Sequence, residues 1–109
     1  MLQSDEIECV QRDLSLALIR IHVLHHATRE PVFGLGIMEE LGRHGCRLSA
    51  GTLYPILHGM EKDGLLRSRQ DQIKSHFRRV YRATPRGRRV LKAAKTTVQE
   101  LLGELLKES

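Results

Sequence analysis

The chain has no tryptophan, two tyrosines and two phenylalanines among 109 residues, so aromatic rings contribute little to whatever core it builds. Its two cysteines, Cys9 and Cys46, are far apart and belong to no C-x-x-C pair. That spacing argues against a disulfide framework or a structural zinc site and leaves two free, reduced thiols. No apolar run approaches the ~20 residues that a membrane span requires. The opening Met1-Leu2-Gln3-Ser4-Asp5-Glu6 is polar and acidic, unlike the basic-then-apolar build of a signal peptide, and points to a cytoplasmic protein without a membrane partner. Negative charge is scarce too: 13 Asp+Glu stand against 18 Lys+Arg, a net charge of +5.

The length fits one domain, and with 40% hydrophobic residues the chain builds a modest core that a shared dimer core would enlarge. The positive charge is local. Nine Lys+Arg lie between Arg67 and Arg89 (Arg67, Arg69, Lys74, Arg78, Arg79, Arg82, Arg86, Arg88 and Arg89), opposed there by Asp71 alone. Such a patch suits a polyanionic partner.

From about Asp5 to Thr28 the spacing predicts one long helix. One apolar stripe runs through Ile7, Val10, Leu14, Ala17, Ile21 and Leu24, and a second through Leu16, Ile19, Val23 and Ala27. A helix apolar on two sides needs two partners, its own domain and a second subunit. Pro31 closes the segment. A short helix carrying Ile37, Met38 and Leu41 follows Phe33-Gly34-Leu35-Gly36 and stops at Gly42-Arg43-His44-Gly45. Ser49 is a suitable N-cap for a third helix, which ends at Asp63-Gly64. On that helix Leu53, Ile56, Leu57 and Met60 share the expected core face, whereas Gly51, Tyr54, Pro55, His58 and Lys62 share the outer one. Pro55 predicts an irregular N-terminal end, because it withdraws an intrahelical donor. Leu65 to Gln70 and His76 to Ala83 read as strands around a polar tip, Asp71 to Ser75. Thr84-Pro85 then opens a last helix as N-cap and first turn, with Leu91, Ala94, Val98, Leu101, Leu102 and Leu105 as a stripe suited to a subunit interface.

The expected fold is therefore mainly α with a small β-hairpin: a winged helix-turn-helix over residues 1–83 and a C-terminal dimerisation helix over 84–109, in one structural unit. A helix of this kind fits the DNA major groove, and a basic hairpin neutralises phosphates beside it. The outer face of the third helix offers Thr52, Tyr54, Pro55, His58 and Lys62, and the hairpin offers Lys74, His76, Arg78 and Arg79, so the expected partners are double-stranded DNA and a second copy of the chain. Leu16, Ile19 and Val23 join the last helix's stripe as expected dimer contacts.

Ser49-Ala50-Gly51-Thr52-Leu53-Tyr54-Pro55, followed by Leu57, Met60-Glu61 and Gly64-Leu65-Leu66, resembles the recognition-helix signature of PadR-like transcriptional regulators. Arg78-Arg79-Val80-Tyr81-Arg82-Ala83-Thr84-Pro85-Arg86-Gly87 is similar to that family's second wing strand and its passage into the dimerisation helix. The resemblance implies a homodimeric winged-helix repressor with a small-molecule effector near the dimer interface. It also implies Ser49, Thr52, Tyr54 and Pro55 at the DNA, with Lys74, Arg78 and Arg79 on the wing. Phe33 and Leu35 stand where the family commonly has His and Tyr, the wing tip lacks the usual glycine, and the missing Trp removes an indole platform that some relatives use for flat ligands.

Other features have plainer readings. His22 and His26 form an i, i+4 pair of zinc-binding type, but ordinary interface histidines are the commoner role, and a pH-sensitive contact lies between the two. Cys46 would need a lowered pKa to sense redox state; a small buried side chain is the simpler reading. Gly34-Leu35-Gly36 lacks the third glycine of a dinucleotide loop. Tyr81 and Phe77 fall on one side of a strand, where packing beneath the wing is their expected role. No nucleophilic or paired-carboxylate motif is present, so neither an enzyme nor a cofactor is expected. Two rival readings stay open, a winged-helix interaction module and a ligand sensor whose main partner is not DNA.

Overall fold

The structure, a computed structural model, describes residues 4–73 and 75–107. Lys74 lies outside the described residues, as do the side chains of Ile7, Cys9 and Val10. The elements run α1 (Ser4–Arg29), β1 (Val32–Phe33), α2 (Gly34–Arg43), α3 (Ala50–Lys62), β2 (Leu66–Ile73), β3 (His76–Ala83) and α4 (Pro85–Lys107).

No glycine or proline interrupts α1, which ends just before Pro31 excludes further helix. The extended conformation that proline favours continues into β1. There Val32 and Phe33 pair antiparallel with Tyr81 and Val80, making a three-stranded sheet of order β1-β3-β2. The sequence reading contained no such strand, because two residues carry no periodicity and this pairing is made with a distant segment.

Both α2 and α3 end on glycines in the left-handed region, Gly45 (φ 81°) and Gly64 (φ 80°). The following amides close each turn, Cys46 N donating to Leu41 O and Leu65 N to Met60 O, both at 2.9 Å. Ser49 caps α3, its Oγ accepting from Thr52 N at 3.3 Å. The irregular start expected from Pro55 is absent: α3 is continuous from Ala50. The bond Pro55 omits is to the carbonyl of Gly51, an exposed residue whose carbonyl is open to solvent, and the helix continues without a break.

The hairpin is longer and tighter at its end than the sequence indicated. Asp71, Gln72 and Ile73 belong to β2 and pair with Arg78, Phe77 and His76. The wing's shape is therefore set by strand pairing and not by a five-residue tip.

Leu53, Leu57, Met60 and Ile56 of α3 are buried, as their spacing predicts, and pack with Val23, Leu24, Ile37, Leu41, Leu66 and Tyr81 in one core. At the start of α4, Gly87 N donates to Thr84 Oγ1 (3.0 Å), and Thr84 Oγ1 donates to Gly64 O (2.5 Å). Gly87 and Leu91 are the buried residues of α4, so its later turns extend beyond the body. The expected dimer contacts divide accordingly. Ile19, Val23 and Leu91 lie within the core of a single chain, and Leu16 packs partly against it, so these have little area to offer a second copy. Leu14 and Leu18 of α1 and Val98, Leu101, Leu102, Leu105 and Leu106 of α4 are exposed instead. Ala94 is half-buried.

Candidate nucleic-acid interface

Ser49, Thr52, Tyr54, Pro55, His58 and Lys62 are exposed along α3, opposite its core face. The hydroxyls of Ser49 and Thr52 lie 3.2 Å apart and hydrogen-bond each other at the cap. The Tyr54 ring leans over Gly34, where a Cβ would meet its hydroxyl end and push the exposed ring aside.

The wing lies beside this face. His76 and Arg79 are exposed, whereas Arg78 is half-buried. The Arg78 guanidinium sits 3.8 Å from the centroid of the Phe33 ring, a cation–π contact that fixes the wing to β1. Its Nε is shielded and has no hydrogen-bond partner among the described residues. Arg79 Nη1 donates to Ser68 Oγ at 3.0 Å. Ser68 in turn gives its backbone N–H (2.9 Å) and its hydroxyl (2.9 and 2.7 Å) to the Glu61 carboxylate. Those hydrogen bonds from Ser68, together with the nearby charges of Arg79 and His58, hold the Glu61 carboxyl below the usual carboxylate range.

Tyr81 is buried beneath the sheet, but Phe77 is 63% exposed, against the expectation that both would pack there. Phe77 sits four residues nearer the wing tip than Tyr81, past the edge of the core. It lines a groove of about 390 Å³ with Phe33, Gly34, Leu35, Tyr54, Arg78 and Arg79. Phe33, Phe77, Glu61 and Ser68 are thus part of the surface and were not singled out from the sequence as site residues. Only the pairing of β1 with β3 brings Phe33 under Arg78.

Around this surface Arg67, Arg69, Arg82, Arg86, Arg88 and Arg89 are exposed. Among the described residues the ion pairs converge elsewhere, on Glu40, from Arg43 (2.8 Å), His44 (3.7 Å) and His26 (3.9 Å). Among the described residues no arginine of the hairpin or of the helix after it takes part in an ion pair, which leaves a strong positive field for a polyanion.

Three other histidines gather along α1 and at the end of α2. The His22 ring lies tilted near those of His44 (4.9 Å between centroids) and His26 (5.5 Å). Among the described residues no three His, Cys, Asp or Glu side chains are disposed to hold a metal ion. Burial, and then the neighbouring His44 and His26, lower the His22 pKa against a smaller opposing pull from Glu40. A histidine with a lowered folded pKa adds stability above its unfolded value, near 6.5, and that stability is lost as pH falls. The thermal midpoint should therefore drop when pH is taken from about 7.5 to about 5.5, and His22→Gln should flatten that drop. An equal drop in the variant would show that His22 does not contribute. Beside this cluster, Leu18, Ile19, His22, Leu41, His44 and half-buried Cys46 line a cavity of about 210 Å³ with Ser15.

A three-helix unit whose third helix presents an exposed face next to a two-stranded basic wing defines a winged helix-turn-helix protein. Residues 23–93 match the transcriptional regulator PadR-like family. The chain is 48% identical over 95 residues to the transcriptional regulator Rv3488 of Mycobacterium tuberculosis, covering 87% of this chain and 89% of that one. Its fold is similar to the crystal structure of a PadR family transcriptional regulator from Eggerthella lenta, with a TM-score of 0.77, 31% identity and 96% of each chain covered. It is also similar to a PadR-like transcriptional regulator from Bacillus cereus, with a TM-score of 0.73, 24% identity, and 85% and 95% of the two chains covered. The chain belongs to the PadR-like family of transcriptional regulators. Regulators of this family bind DNA. No helix among the described residues is long and apolar enough to cross a membrane.

Proposed function

We propose that the protein is a cytoplasmic, sequence-specific transcriptional repressor that binds a near-palindromic operator as a homodimer. The observation that carries this reading is the exposed α3 face beside a wing whose arginines have almost no acidic partners. In it, residues 1–83 read DNA and residues 84–109 pair the copies, with two α3 helices entering successive major grooves about 34 Å apart. Tyr54, His58 and Thr52 carry sequence preference; Arg78, Arg79, His76 and Lys74 supply phosphate affinity. Exposed leucines along α4 support the pairing.

Selection of bound sequences from random duplex DNA tests the reading; enrichment of a motif with two-fold symmetry is the expected result, and no enrichment would overturn it. Arg79→Ala should weaken binding to all sequences and lower the slope of log K against log salt by about one for each arginine removed. An unchanged slope would take Arg79 out of the phosphate contacts. The cavity between α1 and α2 favours one addition, control by a small effector that enters beside His22, His44 and Cys46. A thermal shift coupled to weakened DNA binding would identify such a ligand.

A further inference from the structure

We propose that Glu61 and Ser68 are positioning residues for DNA recognition, holding Arg79 and the second wing strand at one distance and angle from the α3 face. The inference rests on the DNA-binding reading above and names how that surface is kept in register.

Glu61 is in the last turn of α3, Ser68 is near the base of β2, and Arg79 is on β3. Three elements thus meet in one chain of hydrogen bonds: Arg79 Nη1 to Ser68 Oγ (3.0 Å), and Ser68 Oγ and N to the Glu61 carboxylate (2.7 to 2.9 Å). Ser68 sits at the middle because its hydroxyl accepts from the guanidinium while donating to the carboxylate. The carboxylate also satisfies a β2 backbone donor, so it fixes the strand as well as the side chain. Charge-assisted bonds of this kind are stronger and more directional than neutral ones.

The consequence concerns sequence discrimination more than bulk attraction. A free arginine on a flexible hairpin neutralises phosphate on any duplex. An arginine tied to the recognition helix still reaches phosphate on any duplex but does so best when α3 is seated at the matching depth and angle, so phosphate binding and base reading become coupled.

The test uses the full chain with Glu61→Gln, Ser68→Ala, Ser68→Thr and Arg79→Ala, each first checked for an unaltered circular dichroism spectrum. Glu61→Gln and Ser68→Ala should narrow the ratio of operator to random-duplex affinity about tenfold, and Ser68→Thr, which keeps the hydroxyl, should restore it. In an Arg79→Ala background Glu61→Gln should change that ratio by less than about twofold, since the group it positions is gone. Additive effects with wild-type DNA binding intact would overturn this role alone. A wild-type chain that binds no duplex would overturn the DNA-binding reading and this role with it. Relaxation of the Arg79 Nε–H group gives a readout without DNA: it should be ordered in the wild type and mobile in Ser68→Ala, and equal mobility in both would overturn the proposal.

Discussion

Glutamate at both Leu101 and Leu105 should convert the protein to a monomer and lower its operator affinity about a hundredfold. The two side chains are 54% and 59% exposed in one chain and lie one turn apart on α4. With Val98 and Leu102 they form a stripe that the body of the protein does not cover. Each leucine buried against a second copy contributes about 1.5–3 kcal/mol, and a two-fold interface counts every residue twice. Carboxylates at these positions would have to be desolvated without partners, which is far costlier than the leucines were favourable. A monomer then loses the effective concentration that a second, tethered α3 supplies, a factor of about 10²–10⁴. Light scattering after gel filtration and operator binding measured on the same sample check this. A variant that still elutes as a dimer would refute the α4 interface, and a monomer with full affinity would refute binding by paired half-sites.

Gly87→Ala should cost about 3 kcal/mol and lower the thermal midpoint by about 12 °C or more. A Cβ there would run into the Leu65 carbonyl oxygen and come within 3.3 Å of Leu24 Cδ2. The Leu65 carbonyl cannot move aside cheaply, because it accepts the Thr84 N–H at 3.1 Å and so belongs to the α4 cap itself. To admit one methyl group, the first turn of α4 would have to lift away from α1 and the turn before β2. Gly59→Ala is the matched control, since a Cβ at Gly59 meets nothing within 4 Å. That variant should gain about 0.5–1 kcal/mol from helix propensity alone. A small effect at Gly87, comparable with that at Gly59, would mean that α4 is not docked as closely as this contact requires.

The two predictions test parts of α4 that differ in how visible they are in the sequence. Its leucine stripe follows from helical spacing, and its start from Thr84-Pro85. The close approach at Gly87 follows from neither, because it depends on where Leu65 and Leu24 arrive. The same division holds at the interface. The outer and inner faces of α3 were readable because a helix repeats every 3.6 residues, so Tyr54, Pro55, His58 and Lys62 had to oppose Leu53, Ile56, Leu57 and Met60. Ser49 was readable as a cap because a hydroxyl ahead of an apolar-periodic segment has a local task. On the wing, strand alternation put Phe77 and Tyr81 on one side but did not reveal that the core ends between them.

By itself, then, the sequence determined the order of helices and hairpin, the caps that start α3 and α4, the two faces of α3 and the concentration of arginine between residues 67 and 89. All of these depend on groups near one another along the chain, through periodicity, local hydrogen bonding or simple charge count. The tertiary structure decided which apolar side of α1 is spent inside the chain, with Ile19 and Val23 turned inward and Leu14 and Leu18 left outside. It also decided that Val32-Phe33 becomes a strand, that Arg78 lies on Phe33, and that Arg79 is tied through Ser68 to Glu61. Each of these is a contact between segments distant in sequence. Their partners are selected by the burial and hydrogen bonding of the whole chain at once, and no local pattern encodes that choice.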